Sequence, residues 1–136
     1  MTWVLLAIAG LAAAAVVVLV WLRRTWLVVT VTGTSMKPTL DPGDRVLVRR
    51  AALRRVRAGQ IVVVDADDPE LIIKRVAAMP GDAVPPELAR LGSRVPADRL
   101  ILLGDNPEHS MDSRRRGYYE AAGLLGVIVR RLPTQR

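Results

Sequence analysis

Apolar residues are grouped into one long segment near the start of the chain and several short segments after it. Residues 3–22 form an uncharged run, WVLLAIAGLAAAAVVVLVWL, of the length that a helix needs to cross the hydrocarbon core of a bilayer. Tryptophans stand near both ends of the run, where interfacial indole rings are favoured. A cleaved signal peptide would instead have a basic segment before a shorter apolar stretch. The pattern therefore predicts a retained single-pass membrane anchor over residues 1–24.

The rest of the chain carries short apolar or β-branched runs separated by turns rich in glycine and proline, a pattern typical of β-strands. The predicted strands are 26–32, 45–49, 61–64, 71–76, 100–103 and 124–131. A short helix or a basic loop is expected at 51–57 and one helical turn at 87–91. Several short strands joined in this way predict a mainly β domain, a barrel or a folded sheet, over residues 25–136.

Lys74 is the first candidate for chemistry, because its strand is otherwise apolar. Ile72, Lys74 and Val76 share one face of the predicted strand, since alternate side chains point the same way. Of the 20 basic residues only Lys37 and Lys74 are lysines, and arginine cannot release its proton at working pH. Burial would lower the pKa of Lys74 and allow it to act as a general base. The alternative is a lysine whose stem packs while its amine reaches solvent.

Ser35 is the second candidate, in a turn that follows a predicted strand. The sequence Gly33-Thr34-Ser35 would expose the hydroxyl and let backbone N–H groups face an incoming carbonyl, as an oxyanion hole requires. Gly33 has no side chain and permits close approach. A serine hydroxyl becomes a nucleophile only when a base takes its proton. The alternative is that this segment is a polar turn without a chemical role.

Composition narrows the classes of site that the chain can form. It has no cysteine and one histidine, His109, which excludes a thiol nucleophile, thiolate metal sites and a multi-histidine metal site. Three Trp, two Tyr and no Phe offer little surface for stacking on nucleic acid bases. The net charge of +7 suits an anionic partner such as lipid headgroups, or reflects scattered arginines on a solvated surface.

Four segments of the predicted domain resemble the four conserved motifs of type I signal peptidases, in the same order. They are residues 31–40 (VTGTSMKPTL, followed by Gly43-Asp44), 59–64 (GQIVVV), 73–82 (IKRVAAMPGD) and 104–117 (GDNPEHSMDSRRRG). Together they span nearly the whole domain. The sequence is therefore identified as similar to this family of peptidases with a serine nucleophile and a lysine base.

The resemblance implies a role for particular side chains. Ser35 corresponds to the nucleophile and Lys74 to the general base, while Ser110 matches a serine whose hydroxyl orients that lysine. Asp112 and Arg114 match a structural ion pair beside the site. The backbone N–H of Ser35 is expected to be one donor of the oxyanion hole.

Three further positions, and one exclusion, follow from the same resemblance. Gly33 stands where some members carry a serine that donates to the oxyanion, so a second donor here would be a backbone group or water. Thr34 and Met36 are expected at the substrate-binding surface. His109 lies next to Ser110, but the matching position in the family is not catalytic.

The implied activity is a membrane-bound serine endopeptidase that removes N-terminal signal or leader peptides after small residues. It would need no cofactor or metal, and its partners would be a precursor protein and membrane lipid rather than nucleic acid. Large members carry an extra β domain where this chain has only residues 83–99, so a compact member is expected. Compact relatives include dedicated maturation proteases, such as those that process nickel superoxide dismutase precursors, and this is the alternative function.

Two other interpretations carry less support from the residues. Self-cleaving repressors use a similar Ser-Lys pair but usually carry a helix-turn-helix domain, which nothing here fits. An inactive membrane-anchored module that binds leaders or anionic lipids would not need both Ser35 and Lys74. The oligomeric state is not indicated by the sequence.

The orientation of the anchor follows from two opposing arguments. Arg23 and Arg24 follow the apolar run, and the positive-inside rule applied to them alone leaves the domain in the cytoplasm. The resemblance implies a catalytic domain outside the cytoplasmic membrane, and large domains can override two charges. We therefore expect a cell-membrane protein with an extracytoplasmic domain.

Overall fold

A single long helix begins the structure, a computed structural model that describes residues 1–67 and 69–133. Helix α1 spans Thr2–Thr25, and none of its residues is buried. It is long and apolar enough to cross a membrane, with a mean hydropathy of 2.8 over its most apolar window. Strand β1 begins at the next residue, Trp26, so no linker separates the helix from the sheet.

The described residues after the helix form one antiparallel sheet of seven strands in the order β1-β2-β7-β3-β4-β5-β6. The strands are β1 Trp26–Thr30, β2 Arg45–Arg50, β3 Ile61–Val64, β4 Ile72–Ala78, β5 Arg99–Leu103, β6 Tyr119–Glu120 and β7 Leu124–Leu132. The predicted mainly β fold with a folded sheet and one N-terminal helix is therefore confirmed. The last three residues of the predicted domain, 134–136, lie outside the described residues.

The bounds of the six predicted strands agree with the structure to within two residues. Two further elements are too short to produce a recognisable sequence pattern. Strand β1 ends at Thr30 rather than at residue 32, because Val31 bonds instead to the turn at Gly43 and Asp44. Strand β6 and the four-residue helix α2, Ser113–Arg116, were not predicted. Residues 53–55 and 86–91 form 3₁₀ turns, in line with the short helical elements expected at 51–57 and 87–91.

Alternation along β4 places its side chains in different parts of the molecule. Val76 packs in one core cluster with Val62 and Leu102, and Ile72 packs against the same cluster. Ile73 packs in another, with Val29 and other residues of the first two strands. Because the sheet folds over, the end of β1 and the start of β4 approach each other and line one cavity. That approach positions the candidate site.

Candidate active site

Ser35 lies in a turn directly after β1, held by backbone hydrogen bonds on both sides. The Val31 N–H donates to the Asp44 carbonyl at 2.8 Å, and its carbonyl accepts the Gly43 N–H at 2.7 Å. The Lys37 N–H donates to the Thr34 carbonyl at 3.1 Å and closes the turn around Ser35. The Ser35 side chain is half-buried at the edge of the cavity.

Lys74 lies on β4 and faces this serine. Its side-chain Nζ donates to Ser35 Oγ at 2.7 Å, although 39 residues separate the two along the chain. Lys74 is only 6% exposed. Burial lowers the pKa of Lys74, because the ammonium form loses hydration, and the negative charge of Asp112 partly opposes that shift. The amine is thus within the distance at which a general base can take a hydroxyl proton.

Ser110 is completely buried close to this pair. Its Oγ has no hydrogen-bond partner of normal geometry among the described residues. It packs over Gly104 so tightly that a methyl group at that glycine would lie 2.2 Å from Ser110 Oγ and 2.7 Å from the Ser35 carbonyl oxygen. Glycine is required at 104 for this reason. The predicted role of Ser110 in orienting Lys74 stays a prediction.

Asp112 and Arg114 form an ion pair that holds the loop after β5. Arg114 Nη2 donates to Asp112 Oδ2 at 2.7 Å and to the Gly104 carbonyl at 2.8 Å. The Gly104 N–H donates to the same carboxylate at 2.8 Å. Burial of the carboxyl disfavours its charge, but the hydrogen bonds from Arg114 and from the Gly104 N–H, together with the nearby Ser110 hydroxyl, outweigh this and lower the pKa of Asp112 to about 2.

Asp105 has a structural role that the sequence did not indicate. Arg75 donates to it from Nε at 2.9 Å and from Nη2 at 2.7 Å, and Thr39 Oγ1 donates at 2.6 Å. Arg75 also donates from Nη1 to the Gly59 carbonyl at 2.8 Å. These four residues come one from each of the four motifs. The network therefore ties the motifs together, and the hydrogen bond from Arg75 lowers the pKa of Asp105.

Asn106 fastens the turn that carries Ser35. Its backbone N–H donates to the Ser35 carbonyl at 2.8 Å, and its side-chain Nδ2 donates to the Thr34 carbonyl at 3.1 Å. The Gly104-Asp105-Asn106 sequence marked this segment as part of a motif. It could not indicate the two partners of Asn106, which lie about 70 residues earlier in the chain. Ser35 itself donates no backbone hydrogen bond to a described residue, which leaves its N–H free to point at a ligand.

A cavity of about 320 Å³ runs from Ser35 and Lys74 between two extended segments. One wall is formed by residues 30–33 and the other by residues 69–74. Strand β4 pairs with β5 only from Arg75 onward, so residues before it have an unpaired edge on this side. Thr32 Oγ1 donates to Glu70 Oε2 at 2.9 Å and bridges the two walls.

The other predicted site residues occupy different positions around the cavity. Met36 lines it, but the side chain is nearly all buried in the core. Gly33 lines it with open space where a Cβ would stand, and the exposed Thr34 contributes its carbonyl to the turn rather than lining the cavity. His109 is exposed in a short 3₁₀ turn, Pro107–His109. Among residues 1–67 and 69–133, no group of three or more potential ligands could hold a metal ion.

A serine hydroxyl within hydrogen-bond reach of a buried lysine amine, beside a groove of this form, is an arrangement suited to a serine peptidase with a lysine base. The chain matches the family described as signal peptidase, peptidase S26, over residues 1–91 and 86–132. It therefore belongs to that family, as the four motifs predicted.

Individual relatives agree with this assignment. The chain is 31% identical to a probable signal peptidase I-2 from Synechocystis over 134 aligned positions, which cover 76% of this chain and 62% of the relative. It is 30% identical to a signal peptidase I from Leptolyngbya laminosa, covering 75% and 66%. It is 37% identical over 108 positions to mitochondrial inner membrane protease subunit 1 from Schizosaccharomyces pombe, covering 74% and 69%. The chain thus spans slightly less than two thirds of the first two relatives.

Proposed function

We propose that this protein is a membrane-bound serine endopeptidase that removes N-terminal signal or leader peptides from precursor proteins. The observation that carries the proposal is the 2.7 Å hydrogen bond between Lys74 Nζ and Ser35 Oγ, made by a lysine that the fold buries. Family membership supports the same activity.

The reaction follows from the two side chains. Neutral Lys74 takes the proton from Ser35 as Oγ attacks the scissile carbonyl carbon, and the protonated amine then gives a proton to the departing amino group. The peptide's acyl group is left as an ester on Ser35. Water then attacks this ester with Lys74 again accepting a proton, which releases the new carboxyl end and restores the serine.

The negative oxygen of the tetrahedral intermediate needs donors near Ser35. The backbone N–H of Ser35, which donates to no described residue, is the first donor. Because the chain has glycine at position 33, no side-chain hydroxyl is available there as the second. We assign the role of second oxyanion donor to a backbone group or to water.

The substrate lies extended in the groove between residues 30–33 and 71–74. Both segments have backbone edges without a strand partner on the groove side, so an added peptide strand can hydrogen-bond to each. The apolar side chains of Met36 and Ile73 line the groove close to the serine. We propose that shallow pockets there select small residues before the scissile bond, and that the Thr32–Glu70 bridge opens to admit the peptide.

The test is cleavage of a labelled precursor by the purified full-length protein in detergent. Ser35→Ala and Lys74→Arg should each reduce cleavage by at least about a thousandfold, because one removes the nucleophile and the other replaces the base with a group that keeps its proton. Lys37→Arg, a change of the same type at the other lysine, should leave cleavage nearly unchanged. Retained activity in Lys74→Arg would contradict the mechanism.

A dedicated maturation protease for one precursor is the second candidate. The alignment with the Synechocystis protein extends over 134 positions but covers only 76% of this chain, so it contains gaps where that protein has segments that this chain lacks. The alignment with the S. pombe subunit covers 74% of this chain in 108 positions and therefore contains fewer such gaps. Fewer segments around the groove leave fewer contacts for varied substrates. Cleavage of a panel of unrelated precursors separates the two: a general enzyme cleaves many, and a dedicated one cleaves a single leader.

We propose that α1 anchors the protein in the cell membrane and that the sheet lies outside the cytoplasm. The length and composition of the helix support the anchor, while Arg23 and Arg24 favour the opposite orientation. A phosphatase that is active only outside the cytoplasm, fused after the last residue, tests the orientation. Activity of the fusion supports the proposal, and a stable but inactive fusion contradicts it.

A further inference from the structure

Six arginines gather where the helix meets the sheet. Arg23 and Arg24 lie in the last turn of α1, and Trp26, directly after that turn, pairs with Arg49 of β2. Arg50 ends the same strand, and the 3₁₀ turn Leu53–Arg55 follows it. We call this group the basic collar: Arg23, Arg24, Arg49, Arg50, Arg54 and Arg55.

The collar side chains are exposed and unpaired. None of the six forms an ion pair or a side-chain hydrogen bond with a described residue. Elsewhere in the structure Arg75, Arg99, Arg114 and Arg131 each pair with an acid. No acidic residue precedes residue 41 or lies between residues 45 and 64. Because no acid neutralises these side chains, the cluster leaves an uncompensated positive field beside the helix end.

The backbone under the collar is fixed by the sheet. Strand β2 pairs with β1 on one side and with β7 on the other, and the Ala51 N–H donates to the Leu125 carbonyl. Leu53 packs against the core cluster that contains Val62 and Val127. Arg49, Arg50, Arg54 and Arg55 therefore extend from backbone that the sheet and the core hold in place rather than from a loose tail.

We infer that the basic collar binds the anionic phospholipid headgroups of the membrane leaflet that faces the sheet. The inference rests on the proposed anchoring by α1, which would bring these six arginines to the headgroup layer. Clusters of four to eight basic residues next to a spanning helix are attracted to anionic lipid, and each arginine contributes a factor of about five to the binding ratio. The collar would fix how the sheet sits on the membrane, in addition to the helix that retains it.

The experiment uses the full-length protein in vesicles of phosphatidylcholine alone or of an equal mixture with phosphatidylglycerol. The chain has no cysteine, so Ala52→Cys gives a single labelling site at an exposed position within the collar. A fluorophore at that site is quenched by nitroxide on the lipid headgroups when the collar lies on the membrane. We expect strong quenching in the mixed vesicles, weaker quenching in phosphatidylcholine, and loss of the difference at high salt.

Matched triple variants decide whether the collar is responsible. Arg50→Gln, Arg54→Gln and Arg55→Gln together should lower the ratio of docked to undocked protein by on the order of a hundredfold. The control removes the same charge at exposed arginines outside the collar: Arg45→Gln, Arg115→Gln and Arg130→Gln. Equal effects of the two triples, or equal quenching in both lipids, would overturn the inference, as would release of the wild-type collar from mixed vesicles by single-stranded RNA.

Two further measurements separate this inference from the proposed function. Flotation with phosphatidylcholine vesicles measures anchoring by α1, and a protein that does not float contradicts both the anchor and the collar. Precursor cleavage in detergent measures the peptidase activity and should be unchanged by the collar triple. Cleavage without lipid-dependent quenching therefore rejects the collar alone, and quenching without cleavage rejects the peptidase alone.

Discussion

Arg75 and Asp105 form a two-pronged ion pair, with Nε at 2.9 Å and Nη2 at 2.7 Å from separate carboxylate oxygens. Arg75 is the neighbour of Lys74 on β4, and Asp105 is the neighbour of Asn106, whose N–H holds the Ser35 carbonyl. One ion pair therefore links the strand of the proposed base to the turn of the proposed nucleophile.

Arg75→Lys should lower kcat by about tenfold with little change in KM. A lysine keeps the charge but cannot make two parallel hydrogen bonds to Asp105 and a third to the Gly59 carbonyl. Steady-state kinetics on a precursor peptide measure the effect. Arg99→Lys is the control, because Arg99 also pairs with acids, but its partners Asp98 and Glu120 are exposed whereas Asp105 is largely buried. A normal kcat for Arg75→Lys would show that the pair does not align the site.

Lys74→Met should abolish activity and raise the free energy of unfolding by about 1–2 kcal/mol at neutral pH. Burial disfavours the ammonium form in the folded state, so the folded protein binds this proton less readily than the unfolded chain does. Stability from this residue therefore rises with pH, and an apolar side chain of similar size removes the penalty. Thermal unfolding in detergent checks this, and a lower melting temperature for Lys74→Met would contradict it.

Asp112→Asn should move the acidic limb of the kcat/KM profile to lower pH. The negative charge of Asp112 raises the pKa of Lys74, so its removal lets the amine lose its proton at lower pH. The variant should also lose about 3 kcal/mol of stability, since Arg114 is left without its carboxylate. Asp105→Asn breaks a comparable ion pair and should leave the limb in place. A shift to higher pH in Asp112→Asn would rule out this electrostatic coupling.

Gly104→Ala should reduce activity by more than about a hundredfold and destabilise the fold by at least 2 kcal/mol, as overpacking of a tight contact does. The added methyl group would meet Ser110 Oγ at 2.2 Å and the Ser35 carbonyl at 2.7 Å. Gly33→Ala is the matched substitution, because a Cβ there meets nothing within 4 Å, and its melting temperature should be normal. Equal melting temperatures for the two variants would refute the packing argument.

Thr32→Val should lower KM by about two- to tenfold without changing kcat. The variant removes the hydroxyl that bonds to Glu70 across the groove, and a hydrogen bond of this kind contributes about 0.5–1.5 kcal/mol. Peptide entry then no longer has to break it. Thr30→Val, on the same wall but without that bond, is the control. An increase in KM for Thr32→Val would mean that the hydroxyl serves the substrate instead.

Local pattern was sufficient to predict most of the sheet and the direction of Lys74. Strand alternation placed Ile72, Lys74 and Val76 on one face, and the motifs singled out Ser35. The bonds from Asn106 to Thr34 and Ser35, and from Arg75 to Asp105, join residues 30 or more positions apart and depend on how the sheet folds. No local periodicity specifies such pairs. The two-residue strand β6 escaped prediction because its pairing with β5 is also a tertiary contact.

The absence of a linker between Thr25 and Trp26 limits how far the site can lie from the helix end. Ser35 is nine residues beyond Trp26, and an extended chain advances at most about 3.5 Å per residue, so the hydroxyl lies within roughly 30 Å of that point. In a membrane, this limit would keep the site at a restricted height above the bilayer surface. The protein would cleave a peptide bond only where the substrate holds that bond within this distance of the bilayer surface. The same cleavage sequence placed farther from the membrane, or inside it, would not be cleaved.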